Sequence, residues 1–132
     1  MLDLSAGKHL IVDLYECESD LLFDRIALVR FLDELPGRIG MSILRGAAVY
    51  RIAFPKCCIE DEGLSGTAII CESHIAAHTF PRRKFVEMDV SSCKDFNEKE
   101  VIKIIEGAFG AKMSDVQIVR RGRLAHYLKT EG

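Results

Sequence analysis

No apolar run in this sequence approaches the length that crosses a bilayer. Runs such as Leu10-Ile11-Val12 and Thr67-Ala68-Ile69-Ile70-Cys71 are far short of the roughly 20 residues a spanning helix needs. A transmembrane helix is excluded and no membrane association is expected. Neither sign of charge dominates: 18 Lys and Arg stand against 20 Asp and Glu, a formal net charge of −2. That balance provides no global field to attract nucleic acid. There is no C-x-x-C pair, the five cysteines are odd in number, and the adjacent Cys57 and Cys58 are poorly placed to bridge each other. Reduced thiols are expected, not a disulfide framework. No secretory signal is expected either, because acidic Asp3 and then Lys8-His9 precede any hydrophobic stretch. A cytoplasmic protein is expected.

What is present describes one soluble domain over residues 1–132. Hydrophobic residues make up 48% of the chain, with only 10 Gly and 3 Pro to interrupt them. A chain of this size buries roughly two thirds of its unfolded surface and needs no staple or structural metal.

Partial alternation from His9 to Cys17 predicts a strand, and Ser19 or Asp20 a helix N-cap. From Leu22 to Leu35, apolar Leu22, Ile26, Val29 and Leu32 recur at helical steps until Pro36-Gly37 ends the pattern. Strands are expected over Met41–Phe54, Ser65–Ala76 and Lys84–Val90. Asn97 caps a second helix carrying Val101, Ile104, Ile105 and Ala108 on one side, and Val116–Val119 forms a last strand. The order β-α-β-β-β-α-β implies an α+β, two-layer sandwich: a mostly antiparallel sheet with two helices on one face. Two strand-to-helix passages, after Cys17 and after Cys93, suggest duplicated βαβ-type halves. The sheet face left bare calls for a partner sheet, hence a homodimer.

Chemistry concentrates between Gly63 and Pro81, GLSGTAIICESHIAAHTFP, where a hydrophobic strand runs into Glu72-Ser73-His74 and then His78. His74 and His78 have the spacing of two helical metal ligands, but the segment reads as strand and lacks the H-E-x-x-H order, so no metal is expected. Gly63-Leu64-Ser65-Gly66 lacks the second spacer of a nucleophile elbow and precedes the strand instead of following it. Ser73 between an acid and a histidine, with Ser65 and the Cys93 thiol elsewhere, suggests a backbone that reacts with itself.

These strings, with Met88-Asp89-Val90-Ser91-Ser92-Cys93 and the opening Gly7-Lys8-His9-Leu10, Asp13-Leu14-Tyr15 and Cys17, resemble the small prokaryotic S-adenosylmethionine decarboxylases over about residues 7 to 109. The resemblance implies a proenzyme that cuts itself at Glu72/Ser73 into chains 1–72 and 73–132, leaving a pyruvoyl group derived from Ser73. Ser73 Oγ would attack the Glu72 carbonyl, Ser65 would support the oxyanion, and His78 would remove the Ser73 α-proton. The pyruvoyl ketone would form a Schiff base with substrate and take up the electrons freed as CO₂ leaves. Cys93 would protonate the product carbon. The remaining cysteines read as buried thiols. Phe54 stands where the family stacks an aromatic on adenine. The product would be the aminopropyl donor for spermidine.

Two positions depart from the family pattern. Arg82 replaces a glutamate that binds the substrate's ribose hydroxyls, and Lys94 replaces a glycine. A guanidinium has no acceptor for hydroxyls and opposes a sulfonium. Arg82 belongs either to a solvated edge with Arg83 and Lys84 or to a site for another amino acid, such as arginine or ornithine. A third reading is an unprocessed, non-catalytic homologue that acts as a binding subunit.

Overall fold

A computed structural model of the protein describes residues 7–52, 62–124 and 127. Strand β1 (Lys8–Tyr15) leads through a 3₁₀ turn (Asp20–Leu22) to helix α1 (Arg25–Arg38). Strands β2 (Ile43–Ile52), β3 (Gly63–Ile70), β4 (Ser73–Phe80) and β5 (Phe85–Ser92) follow, then helix α2 (Glu98–Phe109) and β6 (Met113–Arg120). The six strands form one sheet in the order β2-β3-β4-β5-β1-β6, and every neighbouring pair is antiparallel. The expected strand–helix–strand units are β1–α1–β2 and β5–α2–β6. By that pairing each joins two strands running the same way, which is what a helical crossover does.

Both helices lie on one face, as the sequence predicts. In β1 the alternate residues Lys8, Leu10, Val12 and Leu14 are buried, and they join Leu28, Leu32 and Leu35 of α1 and Val101, Ile105 and Phe109 of α2 in one core. Phe31 and Phe109 meet edge-to-face at 5.5 Å, which ties the helices to each other. The opposite face has no covering element among the described residues. Also among the described residues, no helix is long and apolar enough to cross a membrane.

Three boundaries differ from the sequence-based expectation, each for a local reason. Ser19 caps only the 3₁₀ turn, accepting from Leu21 N–H at 3.1 Å. Asp24 caps α1 itself, accepting from Ala27 N–H at 3.1 Å. Helix α1 does not stop at Pro36-Gly37 but runs to Arg38 with Pro36 buried in its last turn. So close to the end, the missing N–H removes one helical bond at most, and the Pro36 carbonyl accepts from Ile39 at 3.1 Å and Met41 at 2.8 Å. The third difference is the largest. The single strand expected over Ser65–Ala76 is two strands, β3 and β4, reversed across Cys71-Glu72. Cys71 is exposed, not buried. Cys17 is buried, and burial pushes its thiol up to about 11.

Lys8 fastens the start of β1 to the segment that precedes α2. Its ammonium lies 2.8 Å from Asp95 and 2.7 Å from Glu98, donates to the Phe96 carbonyl and sits 4.4 Å from the centre of the Phe96 ring. Burial works to lower the Lys8 pKa, but the hydrogen bonds to Asp95 and Glu98 outweigh it and the net value is raised above 10.5. Those bonds hold Asp95 below 3.8 and Glu98 below 4.5. The carboxylate contributions are therefore present above those ordinary values and lost as pH falls through the lower, folded ones. The lysine contribution is lost only as pH rises above 10.5 through its folded value. Urea unfolding of Lys8→Met at pH 7 and pH 3 is expected to show a smaller drop in midpoint on acidification than the parent chain shows.

Candidate active site

The reversal between β3 and β4 places Glu72 and Ser73 at one end of the sheet. Ser73 opens β4, opposite Ile70 on β3 and Ser92 on β5. One step beyond, the β4–β5 ladder continues as Cys93 N–H donates to the Glu72 carbonyl at 3.0 Å. The turn is tied down from its other side. Cys71 N–H donates to Ser42 O at 2.8 Å, and Ser42 N–H donates to Glu72 Oε1 at 3.2 Å. The Glu72 carbonyl thus has a fixed donor, with the Ser73 hydroxyl on the next residue and the exposed Cys93 thiol across the ladder. Such an arrangement polarises one peptide bond beside its own internal nucleophile. Lys94 donates its amine to Gly40 O at 2.8 Å, while Ser92 Oγ donates to Lys94 O at 2.7 Å and accepts its N–H at 2.9 Å. These bonds hold the backbone on either side of Cys93.

Ser65 and His78 form a second cluster. They are opposite residues of the β3–β4 ladder, and Ser65 Oγ lies 2.9 Å from His78 Nδ1. Both share the parity of Thr67 and Ala76, on the sheet face that the helices leave bare. Ser73 shares the parity of buried Ile75, Ala77 and Thr79, on the helix face. His78 is five residues from Ser73 along one strand, about 17 Å at the usual rise per residue. One chain therefore brings Glu72, Ser73 and Cys93 together at the sheet end and Ser65 and His78 together on the open face, but not the two groups to each other.

Arg82 is farther still. It lies in a 3₁₀ turn (Pro81–Arg83) past the distal end of β4, exposed between Pro81 and Arg83. Phe54, like Cys57 and Cys58, lies outside the described residues.

One constellation was not visible in the sequence. On the open face His9 Nε2 is 2.6 Å from Asp89 Oδ2, and His74 Nε2 is 3.5 Å from the same oxygen. His9 and His74 meet because both stand opposite Ser91, on the two flanks of β5. Only the pairing register carries that information. His74 and His78 share a face but stand four residues apart on an extended strand, about 13 Å.

A family model described as S-adenosylmethionine decarboxylase matches residues 8–122 of the chain. The S-adenosylmethionine decarboxylase proenzyme of Carboxydothermus hydrogenoformans is 32% identical over 117 residues, covering 88% of this chain and 86% of that protein. The corresponding proenzyme of Thermoanaerobacter pseudethanolicus is 30% identical over 117 residues, covering 88% of each. A crystal structure of the adenosylmethionine decarboxylase from Aquifex aeolicus superposes with a TM-score of 0.70 over 97% of each chain, at 24% identity. That likeness bears on the fold.

Proposed function

We infer from its place in a family, since the chain belongs to the S-adenosylmethionine decarboxylases, that it is a proenzyme which cuts itself and then removes CO₂ from S-adenosylmethionine. The decarboxylated product is an aminopropyl donor for spermidine synthesis. Enzymes of this family are pyruvoyl-dependent carboxy-lyases whose group arises from a serine. Position 73 suits that group, because the peptide bond before it lies at the turn between β3 and β4 and its carbonyl already accepts from Cys93 N–H at 3.0 Å. The pyruvoyl ketone supplies an electron sink for the pair released as CO₂ leaves.

The chain's own residues take the following parts. Ser73 Oγ attacks the Glu72 carbonyl; the O–C bond forms, the C–N bond breaks, and the amine of residue 73 is freed. Cys93 N–H points at the oxygen where negative charge gathers, and Ser65 Oγ is the second donor. His78 takes the Ser73 α-proton, which expels the Glu72 carboxylate and splits the protein into chains 1–72 and 73–132. Loss of ammonia to water leaves the ketone at residue 73. The Cys93 thiol, exposed and one ladder step from this residue, delivers a proton to the product carbon.

For His78 and Ser65 to reach residue 73, the site needs two copies of the chain. The reading is a homodimer in which the Ser65–His78 pair of one copy faces Glu72–Ser73 of the other. The roughly 17 Å between the two clusters in one chain supports it. So does the bare face, where Tyr15, Tyr50, Ile69, Met113 and Val119 are exposed large apolar side chains of a kind that marks an interaction surface. Arg82 favours a second reading, a different amino acid as substrate, because it stands where the resemblance implies a ribose-binding glutamate and a guanidinium has no acceptor for hydroxyls.

The observation that carries the proposal is the Cys93 N–H bond to the scissile carbonyl within the Glu72-Ser73-His74 string. Intact mass of the expressed chain, with CO₂ release from S-adenosylmethionine, arginine and ornithine in parallel, tests it. Two fragments divided at 72/73 and turnover of S-adenosylmethionine are expected. One uncut chain after long incubation would overturn the enzyme reading, and turnover of another amino acid alone would overturn the substrate.

A further inference from the structure

We propose that His9, His74 and Asp89 form a site for one divalent transition-metal ion, zinc in the first instance, on the open face of the sheet. The ligand atoms are two imidazole nitrogens and one carboxylate oxygen, all within 4.8 Å of one another. Ligands about 2.1 Å from a tetrahedral zinc stand about 3.4 Å apart. The 3.5 Å separation of His74 Nε2 from Asp89 Oδ2 already matches that, and the 2.6 Å separation of His9 Nε2 from the same oxygen is short of it. Small side-chain rotations close the set. In the single chain His9 and Asp89 are each 24% exposed and His74 is 44% exposed, and they lie on the face that a second copy covers in the proposed homodimer.

The surroundings favour a cation. Asp13 stands directly opposite Glu87 on β5 and opposite Asp115 on β6, a row of like charges that is unfavourable without a counter-charge. That row lies one pair beyond Asp89, on the same face. A depression of about 290 Å³ runs between the two, lined by His9, Asp89, Asp13, Glu87 and His78 among others. Two imidazoles select a first-row transition metal over magnesium or calcium, which take oxygen donors. With three protein ligands, at least one coordination position remains open.

The placement gives the ion a task, and this part rests on the proposed self-cleavage. His9 lies in chain 1–72, whereas His74 and Asp89 lie in chain 73–132. A metal held by all three joins the two products of the cut. His74 is the residue directly after Ser73, so its coordination also limits the movement of the new terminus that carries the ketone. His9, His74 and Asp89 are here positioning residues, acting through the backbone of residue 73.

The test uses the full Ser73→Ala chain, which binds metal or fails to do so independently of any cut, so that failure of the site and failure of the functional reading are separate results. Chelator-treated protein is titrated with Co²⁺ and followed by visible absorption, then challenged with Zn²⁺. One saturable equivalent per chain is expected, with a spectrum of nitrogen and oxygen ligands displaced by zinc. His9→Gln, His74→Gln and Asp89→Asn should each weaken binding at least about tenfold, while Glu87→Gln stays within about threefold because it removes no ligand. Melting of each metal-free variant at the parental temperature shows that it is folded. A variant that melts lower is replaced by measuring zinc-induced shifts of the His9 and His74 imidazole resonances in the unsubstituted Ser73→Ala chain, where shifts confined to other histidines overturn the site. Absence of a saturable spectrum, thiolate-to-cobalt charge transfer, or equal affinity in folded ligand variants also overturns it.

Discussion

Two inert chains, one with Ser73→Ala and one with His78→Ala, are expected to restore cutting when they are unfolded together and refolded as a mixture. Alone, Ser73→Ala has no hydroxyl to attack the Glu72 carbonyl and remains a single 132-residue chain without decarboxylase activity. His78→Ala keeps the nucleophile and the Cys93 N–H contact of 3.0 Å but loses the base, which should slow cutting by roughly 10²- to 10⁴-fold. In a mixed dimer the Ser65–His78 pair of the Ser73→Ala copy serves Ser73 of the other. Random pairing at equal amounts places about half of the His78→Ala chains in such dimers, so about half of them should be cut. Mass spectrometry identifies which chain is cut, because the substitutions differ in mass. If the two groups of residues act within one chain, the mixture cuts no faster than the His78→Ala chain alone, and the shared site is wrong.

That experiment follows from a distance the sequence conceals. Glu72-Ser73-His74-Ile75-Ala76-Ala77-His78 reads as one constellation because its chemical residues are close in number. On an extended strand, five residues are about 17 Å and an odd offset reverses the face. The parts that depend on local pattern were legible. Asn97 caps α2 by accepting from Glu100 N–H at 3.2 Å, and β1 and β5 alternate as their side chains imply. The α+β class follows from the order of elements.

The β3–β4 reversal was not legible, since Ile70-Cys71-Glu72-Ser73 contains no Gly, Asn or Pro to mark a turn. Its geometry comes from Ser42, some thirty residues earlier in sequence, which bonds both turn residues. The end of α1 departs from its sequence pattern for a related reason. Pro36 stops a helix by lacking an N–H, which matters little in a last turn whose carbonyls find other donors. His9 and Asp89 are eighty positions apart and meet only through the β1–β5 register, which no short window of sequence encodes. Lys94, where the resemblance implies a glycine, bonds Gly40 O at 2.8 Å.

Gly7→Ala should be among the most damaging single substitutions, for stability and for cutting together. Gly7 has φ +99°, and a Cβ there would lie 1.9 Å from Ser92 O and 2.6 Å from Cys93 Cα. Both neighbours are backbone, so no flexible side chain can move aside. Strain at positive φ and an overlap of this depth together cost about 3 kcal/mol or more. Relief requires Ser92 and Cys93 to shift, and that movement pulls Cys93 N–H from the Glu72 carbonyl. The same residue anchors the last strand through Arg121 N–H, which donates to Gly7 O at 2.9 Å. Gly37→Ala provides the contrast: it lies inside α1, nothing stands within 4 Å of the added Cβ, and removing helical glycine should stabilise by about 0.5–1 kcal/mol. Urea unfolding should therefore move the two midpoints in opposite directions. The cutting rate, measured in urea-free buffer on the folded fraction of each chain, should fall sharply in Gly7→Ala and stay at the parental value in Gly37→Ala. A folded Gly7→Ala chain that cuts at the parental rate would show that the ladder step between Cys93 and Glu72 does not set up the reacting carbonyl.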